Sequence, residues 1–371
     1  MTSCKIKICI IIPGFKCGGS QRFTSILCNH INTSVFDVEL YILDGEDPFY
    51  QITNPGVKVF PLNIKNVRKS LFSLLKIIRK TNPDILFTVS NHLNIYIAIF
   101  KILFPRKIKV VARETSIVSI NNKRSEYGKL YEWIVTKFYK NIDYIICQSA
   151  YMQNDLVINY KIKRENTVVI HNPVEELTFP ANDNPIQSKK AMYKFFTVAR
   201  LSPEKGVSRL IKALALMDVD FSFHIIGDGL EKFNLQELTK QLNMQHKIIF
   251  EGAKSNPYEN MSDADLFLIG SHFEGFPNVL LEAGILGIPV VGFNAPGGIG
   301  EIIEEGINGF LVNDDDAGES FKNRVITALN YNFNRQQIIE ITKSRFRVNK
   351  IMKQLENCFS QIYHSDFENG N

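Results

Sequence analysis

Continuous apolar runs alternate with amphipathic segments through the first half of the chain. The runs are KIKICIIIP, FDVELYIL, VKVFPL, DILFTVS, KVVARE and DYIICQS. A run that is apolar throughout, rather than at every second position, marks a strand covered on both faces, so the pattern predicts a parallel sheet flanked by helices. Residues 174–192 carry Pro, Asn, Asp and Ser without periodicity and read as a linker. The alternation then restarts with YKFFTVARL, FSFHIIGDG, KIIFEGA, DLFLIGS and PVVGFNA. The predicted fold class is α/β, with two doubly wound domains in tandem. Residues 317–363 read as helical, with a break near NYNFNRQQ and a polar tail beyond. No repeat of solenoid length appears, and the only low-complexity run is the acidic triplet at 314–316.

Length agrees with this division. A chain of 371 residues exceeds one ordinary core, and domains of about 150 to 200 residues are the expected unit. Cys4, Cys9, Cys17, Cys28, Cys147 and Cys358 form no CxxC pair, which suggests reduced thiols in a cytoplasmic setting and spells out no zinc site. The opening MTSCKIKICIIIPGF is closed by Pro13 and Gly14 without a small-residue cleavage site, so it reads as a first strand rather than a signal peptide. LNIYIAIFKILFP is interrupted by Lys101 and Pro105, and it falls short of the roughly 18 residues a membrane span requires. The expectation is a chain that does not cross a membrane.

Charge is divided unevenly. Residues 1–170 hold 24 Lys and Arg against 12 Asp and Glu, a net +12, whereas residues 171–371 hold 19 against 26, a net −7. The basic half contains IKNVRKSLFSLLKIIRK and NNKRSEYGKLYEWIVTKFYK, where cations are interleaved with large apolar residues and the only Trp, Trp133. Such helices suit an anionic membrane surface, although solvated outer helices of an α/β domain share the pattern. No recognised nucleic-acid module is present, so nucleic acid is not expected as a partner.

The candidate chemistry is concentrated in the second half. Neither GFKCGGSQR nor GDGLEKF has the GxGxxG spacing, and no Walker A motif occurs, so a nicotinamide enzyme or P-loop nucleotidase is not indicated. The stretch SHFEGFPNVLLEAGILGIPVV places Glu274 before a helix start and Glu282 in its second turn. Eight residues of helix rise about 12 Å, more than the roughly 5 to 9.5 Å that separates glycosidase carboxyl pairs. Between them, the amides of Asn278, Val279 and Leu280 open a helix beyond a strand's carboxyl end, where phosphate is attracted. Two carboxylates for sugar hydroxyls around an anion site suit a sugar nucleotide; a surface-loop Glu and an exposed helix Glu are the plain alternative. Arg200 and Lys205, in VARLSPEKG, add two cations at another strand's end, fit to neutralise a diphosphate. NAPGGIGEII repeats the geometry with Gly297, Gly298, Gly300 and Glu301, and Gly18 and Gly19 stand at the end of the first strand of the other half.

Taken in order, VARLSPEKG, EGFPNVLLE and GGIGEIIEEGINGFLV resemble glycosyltransferase family 4, the retaining enzymes of GT-B fold. The resemblance implies two Rossmann-like domains facing across a cleft: an acceptor domain at 1–173 and a nucleotide-sugar domain at 193–345, with a C-terminal helix at 346–371 packing back on the first. It implies that Arg200 and Lys205 bind the donor diphosphate, that Glu274 faces the transferred sugar and that Glu282 holds the ribose. Backbone groups from Gly275 and Phe276 through Asn278, Val279 and Leu280 would meet sugar and phosphate, with Gly18 and Gly19 beside the donor phosphates. Neither a cofactor nor a metal is implied; the nucleotide sugar is a co-substrate, and the two cations replace the metal. Many relatives carry a His where this chain has Arg113 and Glu114, which become acceptor or cleft residues of unassigned role. The expected acceptor is a lipid-linked saccharide at the inner membrane surface, approached through the basic half. A nucleotide-sugar epimerase of the same plan, and a non-enzymatic basic surface-binding protein, are the competing readings.

Overall fold

A computed structural model describes residues 5–65, 67, 70–176, 191–313 and 318–368, with side chains of the last helix described to residue 364. The chain divides into two compact units, residues 1–173 with 348–371, and residues 174–347. The acidic triplet and most of the stretch read as a linker lie outside the described residues. Val174 itself is tied to the second unit, its N–H donating to the Phe346 carbonyl at 2.8 Å.

In the first unit seven strands form one sheet: β1 (Ile6–Gly14), β2 (Phe36–Asp44), β3 (Val57–Pro61), β4 (Ile85–Thr88), β5 (Lys109–Arg113), β6 (Tyr144–Cys147) and β7 (Thr167–Val169). Their order is β3-β2-β1-β4-β5-β6-β7, and every pairing is parallel. Ile8 pairs with Val38 on one side and Ile85 on the other. That central position explains the uninterrupted apolar run of β1, since Ile8, Ile10, Ile11 and Ile12 are all fully buried. The crossover helices are α1 (Gly19–His30), α2 (Leu71–Thr81), α3 (Asn91–Phe100), α4 (Val118–Arg124), α5 (Gly128–Phe138) and α6 (Ala150–Tyr160).

The second unit repeats the plan with β8 (Tyr193–Val198), β9 (Phe221–Ile226), β10 (Ile248–Gly252), β11 (Leu266–Ile269), β12 (Val290–Phe293) and β13 (Gly309–Val312), in the order β10-β9-β8-β11-β12-β13. All of these pairings are parallel too. Its helices are α7 (Val207–Leu214), α8 (Lys232–Gln241), α9 (Tyr258–Met261), α10 (Asn278–Ile285), α11 (Ile299–Ile302), α12 (Glu319–Asn330) and α13 (Arg335–Phe346). One face of the sheet is filled by Phe195, Phe223, Phe293 and Phe321, the other by Phe196, Phe267, Leu281 and Phe346. Both sheets have the Rossmann order, in which the chain starts centrally, winds outward, then returns to the other side of its first strand. The short strands β7 and β13 were absent from the reading of the apolar runs.

The last helix, α14 (Val348–Glu368), belongs to the first unit. Val348, Ile351, Met352, Leu355, Phe359 and Ile362 recur at helical spacing and are buried in that unit's core. Phe359 meets the rings of Phe36 and Phe87 edge-on at 6.3 and 5.2 Å.

Candidate active site

Doubly wound sheets bind ligands beyond the carboxyl ends of the strands, where the winding reverses. In the second unit that point lies between β8 and β11, and the loops following these strands carry the predicted cations and Glu274. Their closeness follows from the strand order, not from sequence separation.

The loop after β8 is fixed on both sides. Ala199 donates to the Ile226 carbonyl, Leu201 donates to that of Asp228 at 2.9 Å, and Glu231 donates back to Leu201 at 3.0 Å. Pro203–Lys205 then form a single 3-10 turn. The His272 N–H donates to the Glu204 carbonyl at 2.8 Å, joining this turn to the loop after β11. The Lys205 ammonium lies 2.6 Å from Glu274 Oε1, which also accepts from the Ser271 hydroxyl at 2.6 Å. Arg200 is turned differently: it pairs with Glu204 at 3.0 Å, and its side chain is 72% exposed. The two predicted cations therefore each have a carboxylate neighbour, and only Lys205 reaches Glu274.

The loop after β12 completes the group. Glu274 donates its N–H to the Pro296 carbonyl at 3.0 Å and accepts from the Gly298 N–H at 3.3 Å. Gly297, at φ +117°, permits this contact, because a β-carbon there would fall 1.5 Å from the Glu274 carbonyl oxygen. Gly275 lies in the same loop, between Glu274 and Phe276.

The helix start is more restricted than its sequence suggests. Leu280 donates its N–H to the Pro277 carbonyl at 3.1 Å, so of the three amides expected to hold an anion that one is already engaged. Phe276 and Leu280 are buried, with Phe276 edge-on to Phe346 at 5.6 Å, and they anchor the loop through their side chains. Glu282 is 6% exposed, buried in α10 rather than standing on a solvated face.

Some of the supporting residues escaped the sequence reading. Arg209, buried on α7, donates its Nε–H to the Gly270 carbonyl at 2.5 Å and stacks on Phe293 at 3.7 Å, holding the end of β11. The available signal was an Arg among the inward positions of VSRLIKAL. Ser271 and Glu204 carried no signal beyond their place beside the recognised residues. Among the described residues no group of three or more His, Cys, Asp or Glu is arranged to hold a metal ion.

In the first unit, Gly18 precedes α1 and Gly19 is its first residue, beyond the carboxyl end of β1 at that sheet's own reversal between β1 and β4. Gly18 has extended backbone at φ 171°, which any residue adopts, so its requirement for glycine is weaker than the motif implies.

Arg113 and Glu114, expected as acceptor or cleft residues, are both fully buried. Consecutive strand residues point to opposite faces, and these two have separate surroundings. Arg113 donates from Nη2 to Asn172 Oδ1 at 2.5 Å and lies 3.7 Å from the Phe23 ring centre. Glu114 Oε1 accepts from Asn94 at 2.8 Å and from the Tyr139 hydroxyl at 2.9 Å. Burial pushes the Glu114 carboxyl up to about 7 and the Arg113 guanidinium down to about 9. Arg113 Nε and Glu114 Oε2 have no hydrogen-bond partner.

Comparison with known proteins places this geometry. The model described as Glycosyltransferase Family 4 matches residues 17–176, and that described as Glycosyl transferases group 1 matches residues 179–345. The chain is 27% identical over 331 residues, covering 85% of itself and 88% of the relative, to the Campylobacter jejuni N-acetylgalactosamine-N,N'-diacetylbacillosaminyl-diphospho-undecaprenol 4-alpha-N-acetylgalactosaminyltransferase. Among solved structures it is similar to the lipopolysaccharide outer core galactosyltransferase WaaB, with a TM-score of 0.75 and 22% identity over 96% of this chain and all of that one. Anabaena HepE in complex with UDP-glucose gives a TM-score of 0.74 and 20% identity over the same shares. With both parallel sheets, the loops at their reversals and two family models spanning most of its length, the chain belongs to glycosyltransferase family 4, the group 1 glycosyltransferases of GT-B fold.

Proposed function

We propose that this chain is a retaining, metal-independent glycosyltransferase that moves a hexose or N-acetylhexosamine from a UDP-sugar to a saccharide on a lipid diphosphate, in the assembly of a bacterial surface polysaccharide such as O-antigen or capsule. The observation that carries the reading is the contact of Lys205 with Glu274 at 2.6 Å, beyond the reversal point of the second sheet. A carboxylate that orients an ammonium beside a helix start makes a preorganised receiver for a phosphate dianion. When the glycosidic bond to the diphosphate breaks, negative charge grows on the leaving oxygen. Lys205 and Arg200 stabilise it there, Glu274 faces the sugar and Glu282 the ribose. The leaving diphosphate assists removal of the acceptor proton on the same face, which gives retention without a separate nucleophile.

Donor and acceptor are chosen on chemistry and on the relatives. HepE is known with UDP-glucose, and the Campylobacter relative is named for an acceptor on diphospho-undecaprenol. A peripheral site on the inner face of the cytoplasmic membrane suits such an acceptor. Phe72, Ile102 and Trp133 support it as large apolar side chains exposed on the basic unit, by 84%, 87% and 54%. No described helix is long and apolar enough to cross a membrane.

The test is a panel of nucleotide sugars screened by thermal shift, followed by transfer from the best binder to membrane lipid extract, with and without EDTA. Transfer in both conditions is expected, together with its loss in Lys205→Ala. Full activity of that variant, or a sugar epimerised in a donor-only incubation, would sink the proposal.

A further inference from the structure

Among the described residues no carboxylate forms an ion pair with the buried guanidinium of Arg113. Glu114, its neighbour in sequence, directs its carboxyl to Asn94 and Tyr139 on the other face of the strand. A buried charge is normally paired, because removal from water costs far more than a neutral hydrogen bond returns. The polar side chains described beside Arg113 are neutral amides. Asn172 follows β7 and Gln148 follows β6; both are nearly buried, and the Asn172 amide lies 3.4 Å from Gln148 Oε1. A cation and two amides thus meet at the carboxyl ends of three adjacent strands, β5, β6 and β7. This is where a parallel sheet receives ligands, and the set rejects cations and suits an anion.

We propose that Arg113, with Asn172 and Gln148, is a second anion site, which receives a phosphate or diphosphate group in the first unit. The arriving oxygen takes the place of Asn172 Oδ1 on the guanidinium, and the vacant Nε–H becomes the second prong of a forked contact. The group has two sources, the diphosphate of a lipid-linked acceptor or that of the nucleotide donor. The choice of probes rests on the transferase reading, whereas the site rests on the unpaired charge.

Calorimetric titration and thermal shift with inorganic pyrophosphate, UDP and farnesyl diphosphate test it. The double variant Arg200→Ala/Lys205→Ala is expected to keep one saturable diphosphate site. Adding Arg113→Met should weaken that site about tenfold or more, while anion-free melting stays level or rises because an unpaired buried charge has gone. A preference for farnesyl diphosphate identifies the acceptor as the source, and a preference for UDP identifies the donor. Absence of binding to the double variant, or affinity unchanged by Arg113→Met, overturns the proposal. Should Arg113→Met fail to fold, Arg113→Lys keeps the charge but loses the fork and is expected to bind several-fold more weakly; unchanged affinity overturns it equally. If Arg200→Ala/Lys205→Ala leaves UDP binding intact, the donor assignment fails, and the Arg113-dependent signal is still read independently.

Discussion

Gly206 and Gly270 are stacked backbone to backbone: a β-carbon on Gly206 would stand 1.9 Å from the Gly270 carbonyl oxygen. Gly206 also has φ +58°, in the left-handed region, immediately after Lys205. The contact is what brings the loop after β8 against the end of β11. Gly206→Ala is expected to destabilise the second unit by about 2 to 4 kcal/mol, combining backbone strain with displacement of Gly270. Differential scanning calorimetry measures it; a melting temperature unchanged from the parent would show that the two loops are not locked together.

Lys205 and Glu274 depend on each other, their side chains being 24% and 12% exposed. Lys205→Ala removes the charge that meets the leaving diphosphate and is expected to lower kcat by roughly a hundred- to a thousandfold. Glu274→Gln keeps an oxygen for Ser271 and should fold, but it is expected to lose activity by a smaller factor. Steady-state kinetics with the best nucleotide sugar check the ranking, and an equal loss in the two variants would remove the special role given to the ammonium.

Glu114 makes stability depend on pH. Its carboxyl is held up to about 7 by burial, above the roughly 4.3 of an unfolded chain, so in that interval the unfolded state releases a proton that the folded state keeps. Its contribution to stability is fully present below pH 4.3 or so and is lost as pH rises through 7. Glu114→Gln retains an acceptor for Asn94 and Tyr139 without titrating. Urea midpoints from pH 5 to 8 should fall more steeply in the parent than in this variant; parallel curves would contradict the burial of an ionisable carboxyl there.

Phe359 fills the space between Phe36 and Phe87, so Phe359→Ala is expected to cost about 3 to 5 kcal/mol. The loss should appear in the first unit and leave the second unit's transition in place. Limited proteolysis with mass spectrometry distinguishes the two, because early cuts are then confined to residues 5–173 and the last helix. Early cuts in the second unit would contradict the division of the core.

Ile102 is 87% exposed in the middle of the single helical turn, Lys101–Leu103, that follows α3, on the basic unit. Ile102→Glu removes an insertion side chain and adds repulsion, and is expected to weaken sedimentation with phosphatidylglycerol vesicles several-fold, while nucleotide binding is retained. Unchanged vesicle binding would leave the membrane reading without its apolar anchor.

The sequence shows some of this molecule plainly and conceals the rest for physical reasons. Ile8 to Ile12 announce a central strand because both faces of β1 are covered, whereas β7 presents too few residues to form a run and β13, as long as β11, opens on a glycine. Arg200, Lys205 and Glu274 stand in recognisable motifs, yet the contact between the last two spans 69 positions and exists only because β8 and β11 are neighbours. Arg113 and Glu114 were expected as acceptor or cleft residues because they stand where many relatives carry a His. Their burial depends on Phe23, Asn94, Tyr139 and Asn172, which no local pattern connects. Arg209 was hidden for the same reason.

The placement of α14 fixes an order of events during synthesis. The ribosome finishes residues 174–347 before the helix that supplies Phe359, Leu355 and Met352 to the earlier unit's core. The second unit therefore has all of its own contacts first, and the nascent first unit is left with the hydrophobic bed of Phe36 and Phe87 uncovered until α14 emerges. Completion of the two cores runs opposite to the order of translation.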